Sequence, residues 1–490
     1  MTHSLESIDL AIRRLPPNRV EFGIGARTNS GDVQKTTQRR PDAVLLVRLQ
    51  LRVGDKVIVG CSGDRPSFGW LDKRPEKTAD EKLSALLDLV EFARTVWLEE
   101  GRSFATPFAL WQQCYQRILK HARSLNHEDL TASYACALFE RATLDAFCKA
   151  AEQPFFRWIR SDASGFEPAR IHPELAGKSL SEVLAFPPTP RLHIRHTVGL
   201  TDPIIASDLD SATRANDGEP ETLADYAKRD GLRYFKIKIS GSPDHDIARL
   251  QRIWHHVLVE VKEPAVTLDG NEAFHDLATF EAFVDRFASE VPGLFDHTLF
   301  IEQPLTRALT SDPSTSDALR RIAARKALVI DEADGSLEAF KTAWQMGYSG
   351  TSHKNCKGVF KSLLNAMLCD HFEAQSDRTA FLTAEDLSNM PILPLHQDFA
   401  VVATLGISHC ERNGHHYALG LSHLTPAEKN DIASQYPDLY VQRGDEWFLR
   451  IQDGQVRLAS LLSQPGLGGT LQPQWESLIP LADWRREIGA

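Results

Sequence analysis

The sequence predicts an α/β barrel, a modified TIM barrel, preceded by an α+β domain, and three observations support this prediction. After about residue 190, short apolar runs alternate with helical segments, which is the pattern of a parallel sheet. Eight such runs occur, the number at which strand-and-helix units close into a barrel. Several runs end in a charged residue, and neighbouring charges lie roughly 30 residues apart, about the length of one strand-plus-helix unit.

Length and composition leave room for two or three globular domains, with 490 residues, 42% of them hydrophobic and 25% charged. The formal net charge of −11 argues against nucleic acid or an anionic membrane as a partner and favours a small-molecule substrate. The first residues lack the apolar core of a signal peptide, and no run of about 18 apolar residues occurs, so we expect a cytoplasmic protein. The seven cysteines include no CxxC pair, which fits reduced thiols.

Residues 1–190 are predicted to form the α+β domain and a linker. The runs VEFGIG, AVLLVRL and KVIVGCSG, between about residues 18 and 60, predict a small antiparallel sheet. Apolar residues at helical spacing then predict three long helices, which begin near Glu81, Phe108 and Leu130. A polar segment containing Pro and Gly follows and leads into the first barrel strand.

Residues 191–424 are predicted to form the barrel, and residues 425–490 a C-terminal segment that returns to the first domain. The eight candidate strands are RLHIRHTVGL, YFKIKIS, AVTLDGN, TLFIEQP, ALVIDEAD, GTSHKNC, AFLTAEDL and ATLGISHCE. In a barrel of this kind the active site lies at the C-terminal ends of the strands. The charged residues that close these runs are therefore expected to share one site.

Strand alternation predicts which side chains face that site. In YFKIKIS the apolar residues point to the surrounding helices, whereas Lys236 and Lys238 face the barrel mouth. In AVTLDGN the same alternation turns Asp269 inward, and Asn271 follows on the same face. One charge of this kind is usually a solvated strand end, but the whole set indicates a shared site.

Carboxylates on the third, fourth and fifth strands should converge at this point, and they are Asp269, Glu302, and either Asp331 or Glu332. Their mutual repulsion is unfavourable without a cation, and oxygen ligands of this kind suit Mg²⁺ or Mn²⁺. Lys354 ends the sixth strand, four strands from Lys236 and Lys238, so the lysines face each other across the barrel. The pattern predicts a metal-bound ligand with a lysine on each side.

This arrangement suits abstraction of the proton next to a carboxylate, which forms an enediolate. The metal neutralises the developing charge, and a lysine takes or returns the proton. A lysine base needs a pKa lowered from about 10.4 toward roughly 7 or 8, which a nearby cation and a second lysine would provide. Lys236 is expected to have this effect on Lys238. Opposed lysines permit racemisation or epimerisation, and they also permit elimination or cycloisomerisation.

The ordered motifs resemble those of the enolase superfamily, in particular its mandelate racemase/muconate lactonizing enzyme family. The matching pieces are Lys236-Ile237-Lys238, Asp269-Gly270-Asn271, Ile301-Glu302-Gln303-Pro304, Asp331-Glu332 and Lys354. Upstream, the matching pieces are Thr143-Leu144-Asp145-Ala146, Lys149 and Pro154, which resemble the end of that family's capping domain. The resemblance covers about residues 20 to 410. It implies an enolase-like barrel with a capping domain and a homo-oligomeric assembly.

The resemblance also implies roles for individual residues. It implies that Mg²⁺ is bound by Asp269, Glu302 and Asp331, with Glu332 and Asn271 as neighbouring groups or alternative ligands. It implies that Lys238 and Lys354 are opposed acid/base groups and that Lys236 helps to hold the substrate carboxylate. The chain departs from the family after the sixth strand, where a Gly-Gly pair is common and this sequence has Asn355-Cys356-Lys357-Gly358.

Other segments are weaker candidates for substrate contacts. His409 lies near the end of the eighth run, and Glu385 lies at the end of the seventh. The segment SHCERNGHH, which contains His415 and His416, matches no zinc pattern. The basic loop GARTNSGDVQKTTQRRP joins the first two strands of the predicted capping sheet, and in this family such a loop closes over the barrel and selects the substrate.

The first expectation is thus a Mg²⁺-dependent racemase, epimerase or cycloisomerase of a carboxylic acid, with a dehydratase or other lyase on the same scaffold as the alternative. Readings from other classes stay open. A Schiff-base aldolase would use one barrel lysine as a nucleophile and would need no metal. A non-catalytic scaffold would keep the barrel without the chemistry, although a structural protein has no use for converging acids.

Overall fold

The computed structural model describes residues 2–20, 43–184, 186–212, 214–386, 388–414 and 418–490. The run VEFGIG beyond Val20, the whole basic loop, His415 and His416 lie outside these ranges, so what was expected of them stays a prediction. Within the described ranges the chain forms a four-stranded antiparallel sheet with helices, and a parallel barrel of eight strands. The predicted fold class is confirmed.

The antiparallel sheet belongs to the capping domain. Its strands are β1 (Ser4–Arg14), β2 (Ala43–Val53), β3 (Lys56–Asp64) and, from the other end of the chain, β15 (Ile479–Pro480). They lie in the order β15, β1, β2, β3. β1 was not predicted from the sequence. Its inward residues Ile8, Leu10 and Ile12 alternate as in a strand, but a bulge between Leu5 and Ser7 interrupts the pattern.

Helices follow the sheet before the first barrel strand. They are α1 (Phe68–Leu71), α2 (Ala79–Glu100), α3 (Pro107–Ser124), α4 (Asp129–Ala150), α5 (Phe155–Trp158) and α6 (Leu180–Val183). Of these, α2 packs on β1, and α4 packs on β2 and β3. The three predicted long helices, α2 to α4, are confirmed. α4 packs so closely on β3 that a side chain at Gly60 would place its Cβ 2.0 Å from the carbonyl oxygen of Ala142. Only glycine fits there.

All eight predicted barrel strands form. They are β4 (Arg191–Val198), β5 (Tyr234–Lys238), β6 (Ala265–Asp269), β7 (Thr298–Glu302), β8 (Ala327–Ile330), β9 (Gly350–His353), β10 (Phe381–Ala384) and β11 (His409–Arg412). Each pairs in parallel with its neighbours in the order β10-β9-β8-β7-β6-β5-β4-β11. A bridge between Glu385 and Glu411 closes the ring.

The eighth strand begins later than the sequence predicts. The predicted run starts at Ala403, but Ala403 and Thr404 end a helix, and the strand begins at His409. The reason is that every residue of this helix is buried. Its apolar residues therefore run on into the apolar residues of the strand, without the polar positions that mark a surface helix. Gly406, with φ of 74°, separates the two elements.

The barrel helices are α7 (Leu223–Asp230), α8 (Pro243–His256), α9 (Leu277–Glu290), α10 (Pro292–His297), α11 (Arg307–Thr310), α12 (Ser316–Ala323), α13 (Ala339–Met346), α14 (Val359–Glu373) and α15 (Leu393–Thr404). The C-terminal elements are α16 (Pro426–Gln435), β12 (Tyr440–Arg443), β13 (Glu446–Leu449), β14 (Gln455–Arg457), α17 (Ala459–Ser463) and α18 (Leu481–Ile488). β14 pairs with barrel strand β4, whereas β15 pairs with β1 of the capping sheet.

Helix α4 joins the capping domain to the barrel. The hydroxyl of Ser133 donates to the Gly335 carbonyl at 2.8 Å, and the Phe360 amide donates to the Glu140 carboxylate at 2.6 Å. Asp145 accepts from Leu467 at 3.0 Å. The first two bonds connect α4 to the barrel, and the third connects it to the C-terminal segment. Among the described residues, all seven cysteines are free and buried, and no helix has the length and apolar character needed to cross a membrane.

Candidate active site

The register of neighbouring strands places charged residues side by side at the carboxyl ends of the barrel. Lys238 on β5 pairs with Asp269 on β6, and Asp269 pairs with Glu302 on β7. The alternation predicted for YFKIKIS holds, since Phe235 and Ile237 are fully buried in the core that surrounds the barrel. The lysines point into the barrel, where they meet carboxylates from several strands.

Lys236 lies at the centre of this cluster and is completely buried. Its Nζ is surrounded by carboxylate oxygens, at 2.9 Å from Asp269, 3.0 Å from Glu302, 3.3 Å from Glu385 and 2.5 Å from Glu411. The first two acids are on the next strands, whereas the last two come from the strands that close the barrel. A single ammonium group therefore binds acids from four strands.

Lys238 is the second lysine of β5 and faces the mouth. Its Nζ lies 2.5 Å from Asp269 Oδ2 and donates to Asn271 Oδ1 at 2.7 Å. Asn271 in turn donates to Glu332 at 2.9 Å. Lys238, Asn271 and Glu332 thus form a connected row of polar groups beside the acidic cluster.

Lys354 stands across the barrel from Lys238, directly after β9. Its Nζ lies 2.8 Å from Asp331 and 2.7 Å from Glu385. A second lysine from the same segment, Lys357, donates to the other oxygen of the Asp331 carboxylate at 2.8 Å. It also donates to the carbonyls of Asp331 and Ser352, each at 2.8 Å. Asp331 is therefore held by two ammonium groups.

The capping domain contributes Trp70, from the short helix α1, to the barrel mouth. The indole ring lies over Lys354, with Nζ 4.2 Å from the ring centroid, which is a cation–π contact. Arg307 donates to the carbonyls of Trp70 at 3.3 Å and Leu71 at 3.4 Å, so a barrel helix positions this part of the cap. Trp70 thereby covers one of the two opposed lysines.

A cleft of about 420 Å³ opens beside this cluster, between the start of α4 and the barrel loops. Arg74, His127, Arg307 and Glu332 are among the residues that line it. The volume is in the range of small-molecule pockets. Glu332, which ends the row formed by Lys238 and Asn271, lines the cleft, whereas the lysines and the acids around Lys236 do not.

The lysines are strongly held in the ammonium form. Burial alone would lower the pKa of Lys238, but the Asp269 carboxylate outweighs it and raises that pKa. At Lys236 the effect of burial is outweighed by Asp269 and Glu302, which raise its pKa well above the usual value. At Lys354 it is outweighed by Asp331 and Glu385, with the same result. Lys236 does act to lower the pKa of Lys238, as expected, but the carboxylates outweigh this effect, so the expected net lowering toward roughly 7 or 8 is not found.

The pKa values of the carboxylates are shifted in opposite directions by burial and by their charged neighbours. Burial raises the pKa of Glu411 to about 8, with Glu385 adding to the effect. Burial and Asp331 together raise the pKa of Glu332 to about 7. For Glu385, burial is outweighed by Lys354 and Lys236, which hold the pKa well below its usual value. The cluster thus contains both firmly ionised and readily protonated carboxyl groups.

Solved structures with the same architecture cover nearly the whole chain. An enolase from Pseudomonas fluorescens with bound magnesium, potassium and tartrate matches at 13% identity and a TM-score of 0.54, covering 96% of this chain and 91% of that one. A dipeptide epimerase from Enterococcus faecalis matches at 14% identity and a TM-score of 0.54, covering 95% and 99%. The muconate lactonizing enzyme from Pseudomonas putida matches at 15% identity and 0.53, covering 96% and 98%.

The chain has the enolase-superfamily fold. No family model and no curated protein matches the sequence. At identities of 13 to 15% the structural likeness establishes this fold.

Within this enolase-superfamily barrel, the residues present fit a divalent cation. Glu302 is fully buried, and neither oxygen of its carboxylate accepts a hydrogen bond from any residue that the structure describes. Oxygens of Glu302, Asp331 and Glu385 lie within 4.8 Å of one another. A set of buried carboxylate oxygens is the donor set that Mg²⁺ and Mn²⁺ prefer.

This trio differs at one position from the ligand set that the resemblance implies. Glu302 and Asp331 are in it, but Asp269 is replaced by Glu385, which was expected only as a weak candidate for a substrate contact. The Asp269 carboxylate is bound instead by Lys236 and Lys238, and its other oxygen accepts from the Asn271 amide at 2.9 Å. Burial, which raises the pKa of Asp269, is outweighed by these lysines, and the pKa is lowered.

Asp331 and Glu332 are both buried but have different surroundings. Asp331 lies with the candidate metal ligands, whereas Glu332 faces Asn271 and the cleft, with Lys73 at 3.9 Å. His409 lies outside the site. It is the first residue of its strand and stacks on Tyr234, the first residue of β5, with ring centroids 5.1 Å apart. The start of a parallel strand is at the end of the barrel opposite to the active-site mouth.

Several residues of the site were not singled out from the sequence. Glu411 carries the same signal as the others, since it is the last residue of the predicted run ATLGISHCE, but the prediction favoured His409. Lys357 follows β9 in a 3₁₀ turn, where no strand alternation indicates its direction. Trp70 comes from the cap, and no local pattern connects it with a barrel lysine more than 280 residues away.

Proposed function

We propose that this protein is a Mg²⁺-dependent enzyme that abstracts the proton α to the carboxylate of a small-molecule acid, as a racemase, epimerase or cycloisomerase. The observation that carries the proposal is the pair of lysines, Lys238 and Lys354, that stand four strands apart on either side of a buried acidic cluster. The dipeptide epimerase, the muconate lactonizing enzyme and the magnesium-containing enolase with the same fold support it.

The residues that would hold the cation are Glu302, Asp331 and Glu385. When bound, a divalent cation would polarise the substrate carboxylate and would offset the negative charge that now raises the lysine pKa values. Lys236, already bound to carboxylates, provides positive charge at the base of the site, and Trp70 shields Lys354 from water. The substrate would enter through the cleft beside Glu332.

The two lysines divide the proton transfer between them. Lys354 is an ammonium group bound to Asp331 and Glu385, so it can deliver a proton from its side of the bound acid. Lys238 approaches from the other side, with Asp269 and Asn271 fixing its Nζ. Removal by one amine and return by the other inverts the α-carbon, whereas removal without return to that carbon gives cycloisomerisation or elimination.

The test is α-proton exchange in D₂O. Acid sugars, dipeptides, N-acyl amino acids and other carboxylates would be incubated with the protein and Mg²⁺, and deuterium at the α-carbon would be measured by NMR. We expect exchange with wild type, and loss of turnover in Lys238→Ala and Lys354→Ala while Mn²⁺ binding survives. Lys341→Ala, which removes a lysine paired with Glu174 on the surface, is the control and should keep full activity. Full activity in either site variant would refute the mechanism.

The same screen distinguishes the other readings. A lyase begins with the same proton abstraction and is recognised by an unsaturated or dehydrated product. A Schiff-base aldolase would leave the acidic cluster without a role, and activity that survives exhaustive chelation, with borohydride trapping of substrate on a lysine, would favour it.

A further inference from the structure

A positive charge lies inside the barrel, outside the proposed reaction. Arg195 is on β4, two residues before Thr197, the register partner of Lys236. Its side chain is fully buried, and the central guanidinium carbon lies 5.4 Å from the centroid of the Phe300 ring on β7. Because β4 and β7 are three strands apart, this side chain crosses the interior of the barrel. Such interiors are usually filled by bulky branched apolar side chains, so a buried arginine there calls for an explanation.

The hydrogen bonding of Arg195 is directed at one strand end. Among the described residues its guanidinium group donates to a single acceptor, the Ala384 carbonyl, at 2.9 Å from Nη2, and Nε and Nη1 have no partner. Ala384 is the last residue of β10 and comes directly before Glu385. In the ring, β11 lies between β4 and β10. The contact therefore reaches past the neighbouring strand to the end of the next one.

The end of β10 lies at the least paired joint of the ring. Residues Phe381–Ala384 pair in register with β9. Within the described ranges, the backbone of β10 is connected to β11 only at the bridge between Glu385 and Glu411, where the Asp386 amide donates to the Glu411 carbonyl at 3.2 Å. Successive residues of a strand direct their backbone groups to opposite neighbours, so the Ala384 carbonyl faces β11, as the Asp386 amide does. The arginine thus takes the place of a backbone donor at this joint.

The position of Glu385 depends on how firmly this strand end is held. Its carboxylate lies 2.7 Å from Lys354 Nζ and belongs to the trio of candidate metal ligands. On the β9 side the Glu385 amide donates to the His353 carbonyl at 3.1 Å. On the β11 side the backbone directly before Glu385 is held by the bond from Arg195 to Ala384. Groups that orient a metal ligand matter for the site nearly as much as the ligand itself.

We propose that Arg195 is a positioning residue for Glu385: by holding the Ala384 carbonyl from inside the barrel, it fixes the end of β10 at the joint of the ring and thereby places the carboxylate among the candidate metal ligands. This inference rests on the metal site of the proposed function and does not depend on which reaction the site catalyses. Arg195 acts through the backbone and touches neither substrate nor ion in this role.

Hydrogen exchange measured by mass spectrometry tests the hold on the strand. Arg195→Met removes the donor and keeps an apolar stem, and the matched control is Ile194→Ala, which loses buried packing on the opposite face of the same strand. In Arg195→Met, peptides that contain Glu385 and Asp386 should exchange at least about tenfold faster than in wild type, while peptides of β8 change no more than in the control. Unchanged exchange at Glu385 and Asp386, or an equal rise in both variants, overturns the proposal.

Calorimetric titration of Mn²⁺ into the same three proteins tests the effect on the metal site. Groups that hold a metal ligand in place typically contribute about 10- to 100-fold in affinity, so Arg195→Met should bind Mn²⁺ at least about tenfold more weakly than wild type. Ile194→Ala should stay within about threefold of wild type, because its packing contacts do not reach Glu385. A purely electrostatic role predicts the opposite sign for Arg195→Met, since removal of a nearby positive charge favours cation binding. Unchanged or tighter binding therefore overturns the proposal.

A crystal structure of wild type with Mn²⁺ needs no substitution that could impair folding. Glu385 should ligate the ion while Arg195 Nη2 stays within about 3.5 Å of the Ala384 carbonyl, the limit of a hydrogen bond. An ion bound without Glu385, or an Arg195 side chain turned away from Ala384, overturns the proposal. Absence of Mn²⁺ binding in wild type overturns it together with the metal site, whereas Mn²⁺ binding without α-proton exchange refutes only the proposed reaction.

Discussion

Replacement of Lys357 by methionine should lower the free energy of unfolding by about 3–5 kcal/mol, the usual cost of removing one partner of a buried ion pair. Lys357 is 2% exposed and its partner Asp331 is fully buried. The ammonium group makes three hydrogen bonds of 2.8 Å, one to the Asp331 carboxylate and two to the carbonyls of Asp331 and Ser352. Bonds that involve a charged group contribute about 1.5–3 kcal/mol each, so an effect of several kcal/mol is consistent with the contacts.

Methionine keeps most of the length and apolar volume of the lysine stem, so the substitution removes mainly the charge and the three bonds. The assay is urea unfolding followed by tryptophan fluorescence and by circular dichroism, with a free energy assigned where the two transitions coincide. The control is Lys341→Met, which breaks a 2.5 Å pair with Glu174 whose side chains are 33% and 22% exposed. It should cost about 0–1 kcal/mol. A Lys357→Met variant as stable as this control would refute the claim that Lys357 holds Asp331 in place.

The remaining predictions concern the cap, the interface and the metal ligands. Trp70→Leu should slow α-proton exchange about thirtyfold, since a shielded cation–π contact contributes about 2 kcal/mol. Trp70→Phe should keep most of the rate, and equal rates in both variants would contradict this. Burial raises the pKa of Glu140 to about 7 from the usual 4.5, so this group stabilises the fold at low pH and the contribution is lost as pH rises from 4.5 to 7. The free energy of unfolding of Glu140→Gln, measured in urea, should therefore rise relative to that of wild type by up to about 3 kcal/mol between pH 5 and pH 8. A difference between the two proteins that does not change with pH would refute the assignment. Glu385→Gln should weaken Mn²⁺ binding in calorimetry more than Asp269→Asn does, because Glu385 is in the carboxylate trio; the reverse order would return Asp269 to the ligand set.

The barrel strands and the direction of their charged residues follow from local patterns. The alternation in YFKIKIS depends only on neighbouring residues, and it was enough to turn Lys236 and Lys238 away from the apolar side. The capping helices follow in the same way from apolar spacing. The pattern was insufficient where an element lacked a polar face: the fully buried α15 could not be separated from β11.

The sequence by itself determined the barrel, its eight strands and the set of lysines and acids at their ends, because each rests on periodicity and spacing along a short segment. Only the tertiary structure decided which of these groups are partners. Lys236 meets Glu385 and Glu411, 149 and 175 residues further along, because closure of the barrel places the last strand beside the first, within reach of Lys236 on the second. Closure also decided the protonation of the lysines: their pKa values reflect the summed field of carboxylates from several strands, and that field raises them where the neighbouring lysine alone would lower them.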